Sequence, residues 1–420
     1  MRFVDLFCGI GGFHAALHRL GHECVFATDI DAAAAAVYEA NWGQPGGAPV
    51  HCDIRNVIND IPEMDIICAG FPCQPFSKSG AQAGFGDQTR GTLFHDICTL
   101  AEKHNPSVLF LENVPNLVKH DGGNTFAVIE SRIQELGYKF WWKILTPHKL
   151  GTPQIRTRVY MVAIREDLAG NLEFTFPKER TFDLDVRTVL DDTADEKYSL
   201  PERELHWLEI WDDFLKNVNV DTKLPGHPIW AESFRGTEPI PEEYPHWKKD
   251  FIRKNRLLYA NNSEFIDLWI ERWQLFDVND EGERLIPSSR TKFEWQAGPD
   301  SKSIWENLIQ FRPSGIRVKR PNYFPALVAI TQTPIVGWLR RNITPKECAR
   351  LQDFDVDGIH GPPFVLSEDD KQAYKQLGNA VNVNVILSIQ ERIDAYLNRS
   401  ENFSLISEIS LPEGSEQVNQ

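Results

Sequence analysis

The sequence predicts an α/β protein: a mixed, mostly parallel sheet flanked by helices, followed by a second, smaller domain. Three observations carry this. Over residues 1–165 short apolar runs alternate with helical patterns, as repeated strand–helix units require. Those runs end in glycine, acidic or turn residues, where a chain leaves a sheet edge. From about residue 175 to 338 the alternation gives way to many Trp, Pro and acidic residues with no clean period.

Each element follows from its local pattern. Residues 3–7 read as a buried strand running into Gly9, Gly11 and Gly12, then a helix through Ala15, Ala16, Leu17 and Leu20. Residues 25–27 form the next strand, ending at Asp29 and Asp31, and 32–38 an alanine-rich helix. Residues 65–69 and 108–111 are further strands, separated by a Gly-, Ser- and Gln-rich loop over 70–91 and a helix from Leu93 to about Ala101. Two more strands fall near 140–145 and 159–164. Thr344-Pro345-Lys346-Glu347 has a helix start's chemistry, with Pro in the first turn and Glu behind Thr. Gly378-Asn379-Ala380 leads into a last helix to about Tyr396, and 401–420 read as a solvated, disordered tail. The expected division is therefore 1–185, 186–339, a return segment over 340–400, and the tail.

Composition narrows the class. The 420 residues are 42% hydrophobic and 25% charged, which excludes a mostly disordered chain, and their number favours two domains over one core. No stretch approaches the ~20 apolar residues of a bilayer crossing. The N-terminus has an acid inside its first apolar run and resembles no signal peptide, so a cytoplasmic protein with no membrane partner is expected. The formal charge of −16 argues against indiscriminate binding to polyanions. It is unevenly spread: residues 181–250 hold 8 Lys/Arg against 17 Asp/Glu, and 311–350 hold 8 against 1. A polyanion could use the second segment. Seven cysteines, six of them before residue 99, are no disulfide framework and fit a reducing compartment.

Four clusters carry chemistry. The glycines of Phe7-Cys8-Gly9-Ile10-Gly11-Gly12-Phe13, between strand and helix, permit close approach of a ligand, but their spacing is not the dinucleotide pattern. Asp29 suits ribose hydroxyls and Asp53 a nitrogen donor of a base, so a nucleoside cofactor without pyrophosphate fits; tight packing alone is the competing reading. Cys73, in Gly70-Phe71-Pro72-Cys73-Gln74-Pro75, sits just past a strand in a proline-stiffened loop and suits covalent attack. The cysteine spacing does not suit a metal, and none is expected. Glu112, ending the next strand, would share an edge with Cys73 in a parallel sheet. Arg156 and Arg158, at alternating positions, would point the same way toward an anion or carbonyl.

In this order the motifs resemble the DNA cytosine-5 methyltransferases, above all the bacterial enzymes, over residues 1–165 and roughly 342–395. Asp5 through Phe13 resembles the family's S-adenosylmethionine loop, Gly70 through Gln74 its proline–cysteine motif, and Glu112-Asn113-Val114 its glutamate motif. Gln154-Ile155-Arg156-Thr157-Arg158, residues 344–352 and Gly378-Asn379-Ala380-Val381 resemble its later motifs. The resemblance implies a Rossmann-like methyltransferase domain with a smaller target-recognition domain. It places Phe7, Gly9, Gly11, Phe13, Asp29, Ile30, Asp53, Ile54, Pro72, Leu93 and Asn379 around S-adenosylmethionine. Asp29 departs from the family's usual glutamate, and Ile30 from its often larger side chain.

The family's chemistry implies that Cys73 adds to C6 of a flipped-out cytosine, Glu112 protonates or hydrogen-bonds N3, and Arg158 holds the base oxygen. Arg156 would contact a phosphate or steady Glu112. The loop over 74–90 would close on DNA, with Ser79 or Gln82 near the vacated space and Lys78 and Arg90 near phosphates. In the middle domain Arg312, Arg317, Lys319 and Arg320 would meet phosphates or guanine. Implied partners are double-stranded DNA and a separately acting cognate restriction endonuclease, the chain being a monomer in the bacterial cytoplasm near the nucleoid. Two alternatives stand beside this: a tRNA cytosine-5 methyltransferase, whose Cys-Phe-Thr stretch is absent here, and a non-catalytic nucleic-acid-binding relative, which would have no need of Cys73 and Glu112.

Overall fold

The structure, a computed structural model, describes residues 1–72, 92–218, 226–327 and 332–409. It divides into two compact units, one of residues 1–183 with the chain from 349 onward, the other of residues 184–348.

The first unit is built on six strands: β1 (Arg2–Leu6), β2 (Glu23–Thr28), β3 (Ile66–Gly70), β4 (Val108–Asn113), β5 (Tyr138–Leu145) and β6 (Arg158–Arg165). Their order is β2-β1-β3-β4-β6-β5, with β1–β4 mutually parallel and β6 antiparallel to both neighbours. The central runs β1, β3, β4 and β6 are apolar at nearly every position because both faces are covered, whereas edge strand β5 leaves one face partly exposed. Val4, Leu6, Ile67, Ala69, Leu109 and Leu111 share one core with Phe94, Ile97 and Leu100. Helices α1 (Gly12–Arg19), α2 (Ala32–Trp42), α3 (Ile54–Val57), α4 (Leu93–His104) and α5 (Asn124–Glu135) connect the strands. Side-chain caps start three of them: Asp31 accepts from the N–H groups of Ala33 and Ala34, Asp53 from that of Arg55, and Thr92 from that of His95. The stretch before Asp53 makes only an isolated bridge, His51 to Asp29.

The return segment adds helices Asp370–Asn379 and Val383–Ile409 to this unit. The second is anchored by buried Ile386, Ile389 and Ile393, and by Tyr396, whose hydroxyl donates to the carbonyls of Ala169 and Leu172. It runs past Tyr396 into the segment expected as a tail, because an anchored helix gains one hydrogen bond per added residue. Residues 410–420 lie outside the described residues.

The second unit carries strands β7 (Ile229–Trp230), β8 (Lys292–Gln296), β9 (Leu308–Arg312), β10 (Gly315–Lys319), β11 (Ile335–Val336) and β12 (Arg341–Asn342), in the order β12-β11-β9-β10-β8-β7. The return begins later than the expected residue 340 because β12 closes this sheet. Helices α6 (Glu202–Asn217), α7 (His246–Asn261) and α8 (Ser263–Arg272) complete the unit. Its core is aromatic: Trp211 of α6 stacks on Phe293 of β8 at 4.7 Å and meets Trp269 of α8 at 5.3 Å.

The helix start at Thr344 forms as a reciprocal cap. The Glu347 N–H donates to Thr344 Oγ1 (3.2 Å), and the Thr344 N–H donates to Glu347 Oε2 (2.8 Å). Glu347 is fully buried and also accepts from Arg341 at 2.7 and 2.9 Å. Burial pushes its carboxyl up, but Arg341 and the N–H groups of Thr344 and Asp191 outweigh that and hold it below the ordinary range. Glu347→Gln should leave Arg341 buried without its counter-charge and cost about 3–5 kcal/mol in urea unfolding followed by tryptophan fluorescence. With a depressed folded pKa, the wild-type contribution is present above the ordinary glutamate range and lost as pH falls through the folded value. The variant should show a flatter acid limb.

Candidate active site

The strand order reverses between β1 and β3, and open α/β sheets hold ligands outside the carboxyl ends of the strands at such a point. A cavity of about 700 Å³ lies there. Phe7 enters it from the end of β1, Asp29 from β2, Gly70, Phe71 and Pro72 from β3, and Glu112 and Asn113 from β4. Because β6 runs antiparallel to β4, its beginning, Arg158, comes to the same edge. Of the residues expected around S-adenosylmethionine, Phe7, Gly9, Phe13, Asp29, Ile30, Asp53, Ile54, Pro72, Leu93 and Asn379 line this cavity.

Gly11 does not. It has φ +86°, and a Cβ there would stand 2.5 Å from the Trp42 indole nitrogen, so its glycine serves packing. At Gly12 a Cβ would strike Val381 at 2.5 Å; that glycine lets the return segment close on the loop. Gly9 differs, with φ +55° and open space where a Cβ would project, which leaves room for a ligand.

The walls fit a nucleoside, with apolar side chains for the faces of its base and carboxylates for its polar groups. Asp29 accepts from the N–H groups of Gly9 and Asp31, both at 2.8 Å, which aims its carboxylate along the cavity's edge. Burial pushes that carboxyl up, opposed by the same two N–H groups. Ile30 is 69% exposed at the rim, a largely open apolar surface among the described residues. Asp53, expected to meet a base nitrogen, is held by Arg55 in a bidentate pair at 2.5 and 2.9 Å, so a base must share this carboxylate with a cation.

Glu112, Arg156 and Arg158 form the polar floor. Arg158 Nε lies 3.1 Å from Glu112 Oε1, and Glu112 Oε2 stands 3.5 Å from where a Cβ on Gly70 would be. Burial drives the Glu112 carboxyl up, while Arg158 and then Arg156 draw it down; the net is upward. Arg156 is only 2% exposed, donates to the Asn379 carbonyl at 3.4 Å, and has Nε and Nη1 without partners among the described residues. Burial pushes its guanidinium down to about 10. That burial excludes the expected phosphate contact and leaves the other expectation, a charge beside Glu112.

Sequence reasoning missed several residues. Asn113 donates to the Phe71 carbonyl at 2.7 Å, fixing the chain just before Pro72. Lys375 pairs with Asp31 at 2.8 Å, and Gln376 donates to the Ala33 carbonyl at 3.0 Å, fastening the return helix over the cavity's edge. Lys375 and Gln376 carry no signal of their own in the sequence; only their partners, Asp31 at the start of α2 and Ala33 within it, reveal them. Cys73, Lys78, Ser79, Gln82 and Arg90 lie outside the described residues.

In the second unit the basic segment is not an unpaired patch. Arg317 bonds Glu294 at 2.7 and 2.8 Å, Arg312 reaches the same carboxylate at 4.0 Å, and Arg320 bonds Asp300 and the Ala297 carbonyl. The acids come from β8 and the loop after it, which a count along the chain cannot pair with β9 and β10. Lys319 is half-buried beside Arg317, and burial followed by that cation pushes its ammonium down.

Glu112 should therefore titrate above the range of ordinary glutamates in infrared difference spectra. Arg158→Ala removes the larger of the two cationic effects and should move the transition higher still, whereas Asp53→Ala should leave it in place.

Comparison with known proteins agrees with this geometry. Residues 1–395 match the family described as C-5 cytosine-specific DNA methylase. The chain is 34% identical to the type II methyltransferase M.AluI of Cellulosimicrobium cellulans, over 92% of this chain and 90% of that one. It is 32% identical to M.HhaI of Haemophilus parahaemolyticus over 95% of each. The fold is shared with a DNMT2 variant of Spodoptera frugiperda (TM-score 0.51, 20% identity, covering 94% of this chain and 99% of that one). A second likeness is a prophage-encoded putative DNA modification methyltransferase from E. coli (TM-score 0.51, 18% identity, 95% and 99%). The sheet that gathers Asp29, Glu112 and Arg158 at one edge, and the family match across almost the whole chain, identify it as a member of the C-5 cytosine-specific DNA methylases, an S-adenosylmethionine-dependent enzyme.

Proposed function

We propose that the chain methylates C5 of a cytosine turned out of duplex DNA, through a transient bond between Cys73 and C6, within a short sequence read by its second unit. One observation carries this reading: the buried Glu112–Arg158 pair stands at the sheet edge where β3, paired with β4 through Gly70 and Glu112, delivers the chain toward Cys73.

S-adenosylmethionine, when bound, supplies an electrophilic methyl group on a sulfonium. Asp29 would accept from its ribose hydroxyls and Asp53 from its base, Phe7, Phe13, Ile30, Ile54, Pro72 and Leu93 would cover its apolar parts, and Gly9 and Asn379 would bound the remaining space. C5 of cytosine is a poor nucleophile until a thiolate adds to C6, and Cys73 makes that addition. Glu112, its carboxyl raised by burial, delivers or shares a proton at N3 and so takes up the charge pushed onto the ring. Arg158 holds both Glu112 and the base oxygen. After C5 has taken the methyl group, leaving S-adenosylhomocysteine, the C5 proton passes to water and its bonding electrons expel Cys73 as the thiolate, giving 5-methylcytosine. A base stacked in a duplex keeps its reacting ring atoms inside the helix, so these side chains act on it only once it is turned out.

The curated relatives are type II methyltransferases. We infer the same setting here, protection of host DNA against a restriction endonuclease that acts as a separate protein.

Asp29→Ala should weaken S-adenosylmethionine binding by roughly 1.5–3 kcal/mol in calorimetric titration, the range for a hydrogen bond to a charged group. DNA affinity without cofactor should stay unchanged. Duplex DNA with 5-fluorocytosine at the target should trap wild-type protein as an adduct that survives denaturation, needs S-adenosylmethionine and maps to the Cys73 peptide. Cys73→Ser should form none yet still bind DNA, and Glu112→Gln should form it far more slowly. An adduct on another cysteine, or full methylation by Cys73→Ser, would overturn the assignment.

A further inference from the structure

We infer that Glu294 and Arg317, bonded to each other across two strands of the second unit, read one G·C pair of the DNA target: the carboxylate takes the cytosine amine and the guanidinium the guanine edge. This rests on the proposed sequence-reading role of that unit.

Strand alternation puts the pair on one face. Phe293 and Trp295 of β8 and Ile316 and Val318 of β10 point into the aromatic core, so Glu294 and Arg317 stand on the opposite face. The parallel register of the two strands sets Arg317 directly against Glu294. Lys319 lies on the same face, and Arg312 approaches from the end of β9 at 4.0 Å. One cation thus bonds the carboxylate, a second stands 4.0 Å from it, and a third lies farther along the same face. An ion pair kept for stability needs one cation, and at 24% exposure of each side chain this pair adds little to stability.

The atoms used, and those left over, specify the partner. Arg317 spends Nε and Nη2 on a single oxygen, Glu294 Oε2, at 2.8 and 2.7 Å. Its outer edge, Nη1 with the second hydrogen of Nη2, is free among the described residues and offers two parallel donors. Glu294 Oε1 takes the Gln296 amide and keeps lone-pair capacity for one more donor. A donor fork beside an acceptor matches the major-groove edge of a G·C pair, where guanine O6 and N7 accept and the adjacent cytosine N4 donates. An A·T pair puts a donor between two acceptors and would set like against like on this pair. A bare phosphate fits worse, because it would meet the Glu294 charge along with the cations.

The test is methylation of a randomised duplex library by the full chain with S-adenosylmethionine, read by bisulfite sequencing. Wild type should methylate one motif with a strongly preferred G·C pair beside the target cytosine's own pair. Glu294→Gln and Arg317→Lys, both checked for wild-type melting and cofactor affinity, should each relax discrimination by roughly 5- to 150-fold at the same single pair. Rates on the cognate duplex should fall less than that. Loss of binding to all duplexes with an unchanged motif would make the pair a phosphate clamp and overturn the inference, as would no change in either quantity. If wild type methylates no duplex at all, the methylation reading fails first and this inference falls with it.

Discussion

Everything in the first unit depends on one constraint, the pairing of β4 between parallel β3 and antiparallel β6. Gly70 faces Glu112 in one register, and Glu112 faces Tyr160 in the other. Side chains alternate across a sheet, so a slip of one residue would turn Glu112 from the cavity to the opposite face. The register is held by burial: Ile66, Ile67, Cys68, Val108, Leu109 and Phe110 are all essentially without solvent contact on both faces. The site's geometry is thus fixed by apolar residues that never touch it.

Upon that frame the polar floor balances opposing effects. Burial raises the Glu112 carboxyl and lowers the Arg156 guanidinium, so each resists its charged form, and their mutual attraction draws both back. Arg158, more exposed than either, completes the set. Two donors of Arg156 and the side-chain amide of Gln154 stay without partners among the described residues. Such groups are costly when buried; Arg156 lines the cavity, where a polar ligand is its natural complement, whereas Gln154 does not line it.

The second unit solves a different problem. Its sheet is short-stranded and its core rests on Trp207, Trp211, Trp269 and Phe293 rather than on long aliphatic runs. Its charge is organised locally: Arg312 and Arg317 meet Glu294, and Arg320 meets Asp300, acids delivered by a neighbouring strand or loop. A chain of net charge −16 can present such a face to a polyanion only where cations locally outnumber acids, and the surround of Glu294 is such a place.

The sequence by itself determined the strand–helix order of the first unit, because fully buried strands and capped helices write their chemistry in adjacent residues. Whereas the caps by Asp31 and Thr92 emerged only in the structure, the reciprocal cap of Thr344 and Glu347 and the polar ends of β2 and β4 were legible for that reason. So was most of the cavity lining, since strand ends at a switch point converge whatever the details of packing. Only tertiary structure decided what depends on residues distant along the chain. Gly11 was taken by Trp42, Asp53 by Arg55 and Arg156 by the Asn379 carbonyl, while Lys375 crossed to Asp31. The basic segment lost its apparent freedom to Glu294 and Asp300. A periodic pattern reports which face is buried; it carries no information about which charge, ring or carbonyl from elsewhere will fill the space opposite.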